Sequence, residues 1–357
     1  THRFLLHQVR YFPQALTELK YAGKTFKEHL LLESTLKKEL GMDVPIKFIK
    51  HHDAHMGSTY LVSPHESSAI MTIDGLGEYE SCVHAVGSGS NIKRINHVNF
   101  PYSLGMMYSC LSQFLNYAPT YDEGKVMGLS SYGDRDEYYN EFKKIVRLKR
   151  DGTYDFDMSY FMYHRTRDVW VSDKFYKVFG AQRGKNEDIN DRHMAVVAAG
   201  QRVLEDTILH MTENLHKKTK QDAICIAGGV ALNSVANGKI LEQGYFKDIF
   251  VQPASSDDGL AIGSAFYLYN TLQKNSRKYV MSNSYLGPRY SVESIKDALD
   301  KYNLPVYKSC NVAGEVAQLL SEKNVIGLYQ GKMEFGPRAL GNRSIIADPR
   351  SAEMKDV

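Results

Sequence analysis

Three apolar runs, at residues 69–73, 82–86 and 92–98, constrain this chain more than any other feature. The first gap between them carries Gly75 and Gly77, and the second carries Gly87-Ser88-Gly89. Short apolar runs bounded by glycine turns read as successive strands of one meander. A glycine turn after the first strand of such a meander lets the backbone turn tightly and approach a phosphate.

Further along, the period changes. Residues 103–116 place Met106, Met107, Cys110, Leu111 and Phe114 at helical spacing, which reads as a core-facing stripe. Residues 191–217 form the strongest helical pattern. A buried strand at 222–227 runs into Gly228-Gly229, with a helix from about residue 232, a strand at 248–251 and a helix at 259–272. Strands alternating with helices define an α/β class. Upstream, 26–40 is an amphipathic helical run, and 46–49 reads as a short strand. Residues 134–190 are polar, Tyr-rich and weakly periodic, the pattern of an insertion or lid whose aromatics could line an acceptor pocket. The polar stretch Lys274-Asn275-Ser276-Arg277-Lys278 marks a boundary near 275–285. It separates a domain spanning 1–280 from a second unit, 281–357, with helices at 292–302 and 312–322 and a strand at 325–329. Beginning at Thr1 and ending on Asp356-Val357, the chain reads as a fragment of a longer protein.

The net charge of +3, with both signs mixed along the chain, gives no electrostatic case for nucleic acid or a membrane surface. No apolar run approaches the roughly 18 residues of a membrane span, and no signal peptide is read. The four cysteines, Cys82, Cys110, Cys225 and Cys310, are widely spaced and fit reduced thiols in a cytoplasmic protein.

Chemistry concentrates in a few motifs. In His51-His52-Asp53-Ala54-His55 the outer histidines stand at i and i+4, so a helix presents both on one face. Asp74, at a strand end before Gly75-Leu76-Gly77-Glu78, and Asp257, in Ser255-Ser256-Asp257-Asp258-Gly259, could complete an N/O ligand set suited to iron, zinc or manganese. A surface or core histidine pair and a serine–aspartate helix cap are the plainer alternatives. Gly228-Gly229-Val230-Ala231-Leu232-Asn233 offers a strand-to-helix turn to an anion or ribose, or else a close strand–helix crossing. Its spacing matches neither a Walker A loop nor a dinucleotide fingerprint. Lys125 lies in the glycine-flanked Glu123-Gly124-Lys125-Val126-Met127-Gly128-Leu129 as a phosphate or carbonyl partner, with a solvated loop lysine as the commoner alternative. Arg338 and Arg343 sit in Phe335-Gly336-Pro337-Arg338-Ala339-Leu340-Gly341-Asn342-Arg343-Ser344, where guanidinium forks suit phosphate or carboxylate.

Taken in order, these motifs resemble the O-carbamoyltransferases of nodulation-factor and antibiotic biosynthesis over nearly the whole chain. The resemblance implies an actin-like ATPase (RNase H-like) domain related to the tRNA threonylcarbamoyl transferases. After it comes the start of an α/β domain like threonylcarbamoyl-adenylate synthase. It implies carbamoyl phosphate, ATP with Mg2+, and Fe2+ or another divalent metal. The acceptor would be a small molecule with a hydroxyl, and a homodimer stays open. Carried over, the metal ligands are His51, His55, Asp74 and Asp257, and the catalytic set is His51, His55 and Lys125. Cofactor-binding residues are Gly75, Gly77, Gly228, Gly229, Asn233, Arg338 and Arg343. Two departures stand out: the family's opening strand is absent before Thr1, and the adenylate-forming domain stops soon after Arg350. A small-molecule kinase would explain the glycine turns without the histidine pair. A metal-binding module would explain the histidines without the arginine loop.

Overall fold

The computed structural model describes residues 31–355, which divide into two compact units between Tyr279 and Val280. The first unit opens with a helix at 31–40 (α1), then α2 (His51–Tyr60), β1 (Ser67–Gly77), β2 (Glu80–Ser88), β3 (Asn91–Asn99) and α3 (Leu104–Phe114). Next come α4 (Glu123–Leu129), α5 (Tyr139–Ile145), β4 (Val146–Leu148), β5 (Tyr154–Phe156) and α6 (Asp173–Phe179). It closes with α7 (Asp191–Thr219), β6 (Ala223–Ala227), α8 (Ser234–Glu242), β7 (Asp248–Val251) and α9 (Leu260–Phe266).

Five strands form one mixed sheet in the order β3-β2-β1-β6-β7. The meander is antiparallel, with Ile73 opposite Cys82 and Val83 opposite His97. β6 runs parallel to β1 with Met71 beside Ile226, and β7 parallel to β6. Alternate residues of β1 feed two cores. Ala69, Met71 and Ile73 pack with Met107 and Leu111 of α3 and Val203, Leu204 and Ile208 of α7. On the other face Ile70 packs with Met56 and Tyr60 of α2 and with Val83, Ala85 and Cys225. Burying each large aliphatic side chain here stabilises the fold by roughly 1.5–3 kcal/mol. The 29-residue α7 starts at a reciprocal cap in which the Asn190 side chain accepts from His193 N–H.

Several expectations are corrected. Residues 46–49 form no strand among the described residues; they lead into α2 with Phe48 60% exposed. Of the 26–40 run, 31–40 is helical and the rest lies outside the described residues. Gly75 and Gly77 are not the turn: they lie inside β1, where the register with β2 shifts between Ile73 and Gly77, and the turn itself is Glu78-Tyr79. The helix expected from about residue 232 begins at Ser234 after a 3-10 turn at Gly229–Leu232, whereas the 259–272 run passes from α9 into a π-helical turn at Tyr267–Leu272. Residues 134–190 do lie outside the central sheet. Their aromatics form core, however: Phe142, Tyr154, Phe156, Phe161, Tyr163, Phe175 and Phe179 are buried.

The second unit carries α10 (Val292–Lys301), α11 (Val312–Ser321) and a hairpin of β8 (Ile326–Tyr329) with β9 (Arg343–Ile346).

Candidate metal centre

The histidine pair opens α2, and the fold grips that helix end from the β1–β2 turn. Lys50 gives no side-chain cap. The Glu78 carboxylate instead accepts the His51 N–H at 3.0 and 3.3 Å, placing negative charge at the positive end of the helix. His52 turns away from the pair. Its Nε2–H donates to Glu80 O at 3.1 Å, so Nδ1 accepts from the Thr72 hydroxyl at 2.8 Å, and burial pushes its pKa down to about 4. It is a neutral packing histidine.

Asp74 divides its two oxygens between two tasks. Oδ1 accepts N–H from Gly75 at 2.7 Å and from Gly229 at 3.2 Å. Oδ2 is left facing His51 Nε2 at 2.8 Å and His55 Nε2 at 2.7 Å. The two imidazole nitrogens are only 3.1 Å apart. Asp257 Oδ1 lies 3.6 Å from His51 Nε2 and 3.8 Å from His55 Nε2. One ligand atom from each of His51, His55, Asp74 and Asp257 lies within 4.8 Å of the others. Burial would raise the Asp74 carboxyl, but hydrogen bonds from His51 and His55 outweigh it and hold the group well below the usual range. Burial likewise lowers His51, and the Asp74 carboxylate more than compensates, leaving it above an ordinary histidine.

Glycines bring these residues together. A Cβ on Gly77 would sit 2.5 Å from the His51 ring, and one on Gly105 would sit 2.7 Å from Gly75 N, where α3 abuts the end of β1. Gly57 and Gly263 are packed against each other's helices so closely that any side chain at either would overlap backbone. That crossing carries Asp257, just before α9, to the histidine face of α2. Ser103 Oγ donates to Gly75 O at 2.7 Å and caps α3 by accepting from Met106 N, fixing the Asp74-Gly75 corner.

A cation fits this arrangement. Two nitrogens and two carboxylates are a donor set for a divalent transition metal. Two ring nitrogens 3.1 Å apart, both aimed at one oxygen, crowd any protons between them. His55 is fully buried with no bond to its Nδ1, so the polar contacts of its ring are all made at Nε2, which faces Asp74 and His51.

Other predicted residues fall elsewhere. Gly228 (φ +97°) is required because a Cβ would overlap the Ile73 backbone of β1, a close approach of the chain leaving β6 to its neighbouring strand rather than a strand–helix crossing. Its N–H goes to Ser255 O at 2.7 Å and that of Gly229 goes to Asp74, so neither glycine amide remains for a phosphate. Asn233 caps α8 through Ala236 N and pairs with Gln201, which spends both ends of its amide. Lys125 stands outside the cluster: its side chain is 61% exposed and paired with Asp122 at 2.8 Å. In the second unit, Arg343 donates to Gln330 O and Asn342 O and stacks on Tyr329, while Glu334 accepts N–H from Leu340, Asn342 and Arg343. Arg338 shares that loop. Sequence reasoning missed Glu78 as a cap, Ser103, and Arg94, which bonds Asp53 and Glu80. Glu78 lies inside the Asp74–Glu78 motif, and Ser103 carries the ordinary signal of a serine N-cap before an apolar helical run; Arg94 gives no local signal.

Residues 3–266 match the family model for the carbamoyltransferase N-terminus, and 317–357 that for the carbamoyltransferase C-terminus. The chain belongs to the carbamoyltransferase family. It is 35% identical over 333 residues to nodulation protein NolNO of Sinorhizobium fredii, covering 92% of this chain and 47% of that one. It is 37% identical over 313 residues to nodulation protein NolO of Bradyrhizobium diazoefficiens, covering 86% of this chain and 55% of that one. A 3'-hydroxymethylcephem-O-carbamoyltransferase of Streptomyces clavuligerus is 25% identical over 239 residues, covering 66% of this chain and 40% of that one. The chain thus spans about half the length of the curated relatives it matches. Among the described residues no helix is long and apolar enough to cross a membrane.

Proposed function

We propose that the protein takes part in ATP- and metal-dependent O-carbamoyl transfer. Carbamoyl phosphate is hydrolysed to carbamate and phosphate, and carbamate and ATP (with Mg2+) give carbamoyl-adenylate and pyrophosphate. The carbamoyl group then passes, with release of AMP, to a hydroxyl of a sugar-like or natural-product acceptor in the cytoplasm. The observation that carries the reading is the convergence of His51, His55, Asp74 and Asp257 in a chain of this family. The order of the sheet, an antiparallel β3-β2-β1 edge continued by parallel β6 and β7, supports an actin-like, RNase H-like scaffold.

His51, His55, Asp74 and Asp257 would hold the divalent cation, with Fe2+ the leading candidate. When bound, it supplies Lewis acidity toward the carbamoyl carbonyl. The chain's own part is geometric. Asp74 keeps one oxygen turned to the histidines because two amides hold the other. Exposure rises across the cluster, from His55 at 0% through His51 at 16% to Asp257 at 70%, so substrates approach over Asp257. Arg338 and Arg343 are assigned to the anion site of the second unit, with Arg343 already held by carbonyls and the Tyr329 ring. Lys125 has no role in the cluster.

Product analysis with ATP, with and without carbamoyl phosphate, tests the reading. AMP, pyrophosphate and a carbamoylated acceptor support it. ADP with a phosphorylated acceptor would make the protein a kinase instead. Turnover of neither nucleotide nor carbamoyl donor would leave a metal-binding module.

A further inference from the structure

We infer that Arg94 of β3 is the positioning residue for both histidines, acting through Asp53 on their own helix; this rests on the metal reading above. Arg94 Nε and Nη2 donate to Asp53 Oδ1 at 2.9 and 2.7 Å, while Nη1 donates to both Glu80 oxygens at 2.8 and 2.9 Å. Glu80 is 2% exposed, so one guanidinium answers a buried carboxylate on the sheet and a carboxylate on the helix together. The other groups facing this knot are His97, whose Nδ1 is 3.9 Å from Glu80, and half-buried Tyr267, which feels the charges of both Asp53 and Arg94.

The geometry of α2 explains why this matters. His51 and His55 leave one rigid helix, so a single rotation about its axis moves both Nε2 atoms off Asp74 Oδ2. Residues 51, 52 and 53 are each tied to the sheet: the His51 amide by Glu78, the His52 ring by Glu80 O and Thr72, and the Asp53 carboxylate by Arg94. Glu78 is exposed. His52 is neutral. Arg94 therefore supplies the one charged, two-ended brace on the rotation, and a lysine ammonium cannot span both carboxylates in this fork geometry.

The test uses Co2+ alone as probe, following its visible d–d absorption and its affinity by chelator competition. The proteins are the parent, Arg94→Lys, Asp53→Asn and the double variant Glu80→Gln/Arg94→Met, which removes the buried charge along with its partner. Thermal unfolding without metal confirms folding. The expected result is Co2+ binding 10–100-fold weaker, with a shifted spectrum, in Asp53→Asn and in the double variant. Arg94→Lys should recover only part of the affinity. Parent-like affinity and spectrum in folded Asp53→Asn and the folded double variant would overturn the inference while leaving the metal site standing. Should the double variant fail to fold, Asp53→Asn, which keeps the Arg94–Glu80 pair, decides alone. Failure of the parent to bind Co2+ would instead remove the metal reading itself, and this inference with it.

Discussion

Asp74 makes its two oxygens inequivalent, and the residue-scale predictions follow from that. The protein is expected to hold about one divalent cation per chain, as a four-ligand protein site does. Elemental analysis of His51→Ala/His55→Ala should find none while circular dichroism stays unchanged; full metal content in that variant would refute the ligand assignment. Gly77→Ala pushes a methyl to 2.5 Å from the His51 ring. It should weaken metal binding more than it lowers the unfolding temperature, because the displaced ring sits at a helix end rather than in a core. A Gly77→Ala protein with parent affinity would show that the ring has room to move. His51, His55, Asp74 and Asp257 were legible from sequence because helical spacing and strand-end position expose such residues. Arg94 was not: it gains meaning only when distant segments close on it, and Ser103, readable as a helix cap, shows its hold on the Asp74-Gly75 corner only in the fold. The same limit explains Gly228-Gly229, whose sequence cannot tell an amide offered to phosphate from one bonded to Asp74.

At the scale of elements, the sheet and the α2–α9 crossing decide where the site stands. Gly263→Ala places a methyl into the backbone of α2 and should destabilise the fold by about 1–3 kcal/mol. It should also weaken metal binding by carrying Asp257 away. Chemical denaturation together with metal titration checks this, and a loss of stability with unchanged affinity would separate the crossing from the site. β2 carries a pH-sensitive group well away from the cluster. Burial pushes the His84 pKa down to about 4, aided by the charges of Lys218 and His210 and opposed by the neighbouring Asn96 side chain and Asp151. A histidine depressed in the folded state is protonated more readily once unfolded, so stability falls as pH drops from about 6.5 toward 4. The loss from this group is on the order of 3 kcal/mol, and His84→Gln should flatten the unfolding-temperature profile over that window. Strand positions were legible because β-rich runs alternate between glycine turns. Residues 46–49 carry apolar side chains of strand type yet pair with no strand among the described residues. The bulge holding Gly75 and Gly77 was hidden because glycine marks turns and bulges alike.

For the whole molecule, the division at Tyr279–Val280 puts all four proposed ligands in the first unit. Trypsin should cut at exposed Lys278 in preference to Arg277, whose guanidinium is bonded to Leu61 O, Ser63 O and His65 O. The larger fragment should keep the metal and unfold cooperatively. Metal lost on cleavage would mean that the second unit completes the site. The α/β class was readable from alternating elements, whereas the packing of the Tyr-rich region was not, since buried and pocket-lining aromatics share one composition.

Of the four proposed ligands Asp257 is the most exposed, its side chain at 70% against 16% for His51 and 0% for His55. A cation entering from solvent would therefore meet that carboxylate before the imidazoles and leave it last, making Asp257 the turnstile of exchange. An Asp257→Asn protein, lacking that charge, should load its ion more slowly and surrender it faster in a stopped-flow chelator chase; unchanged rates would show that Asp257 takes no part in exchange.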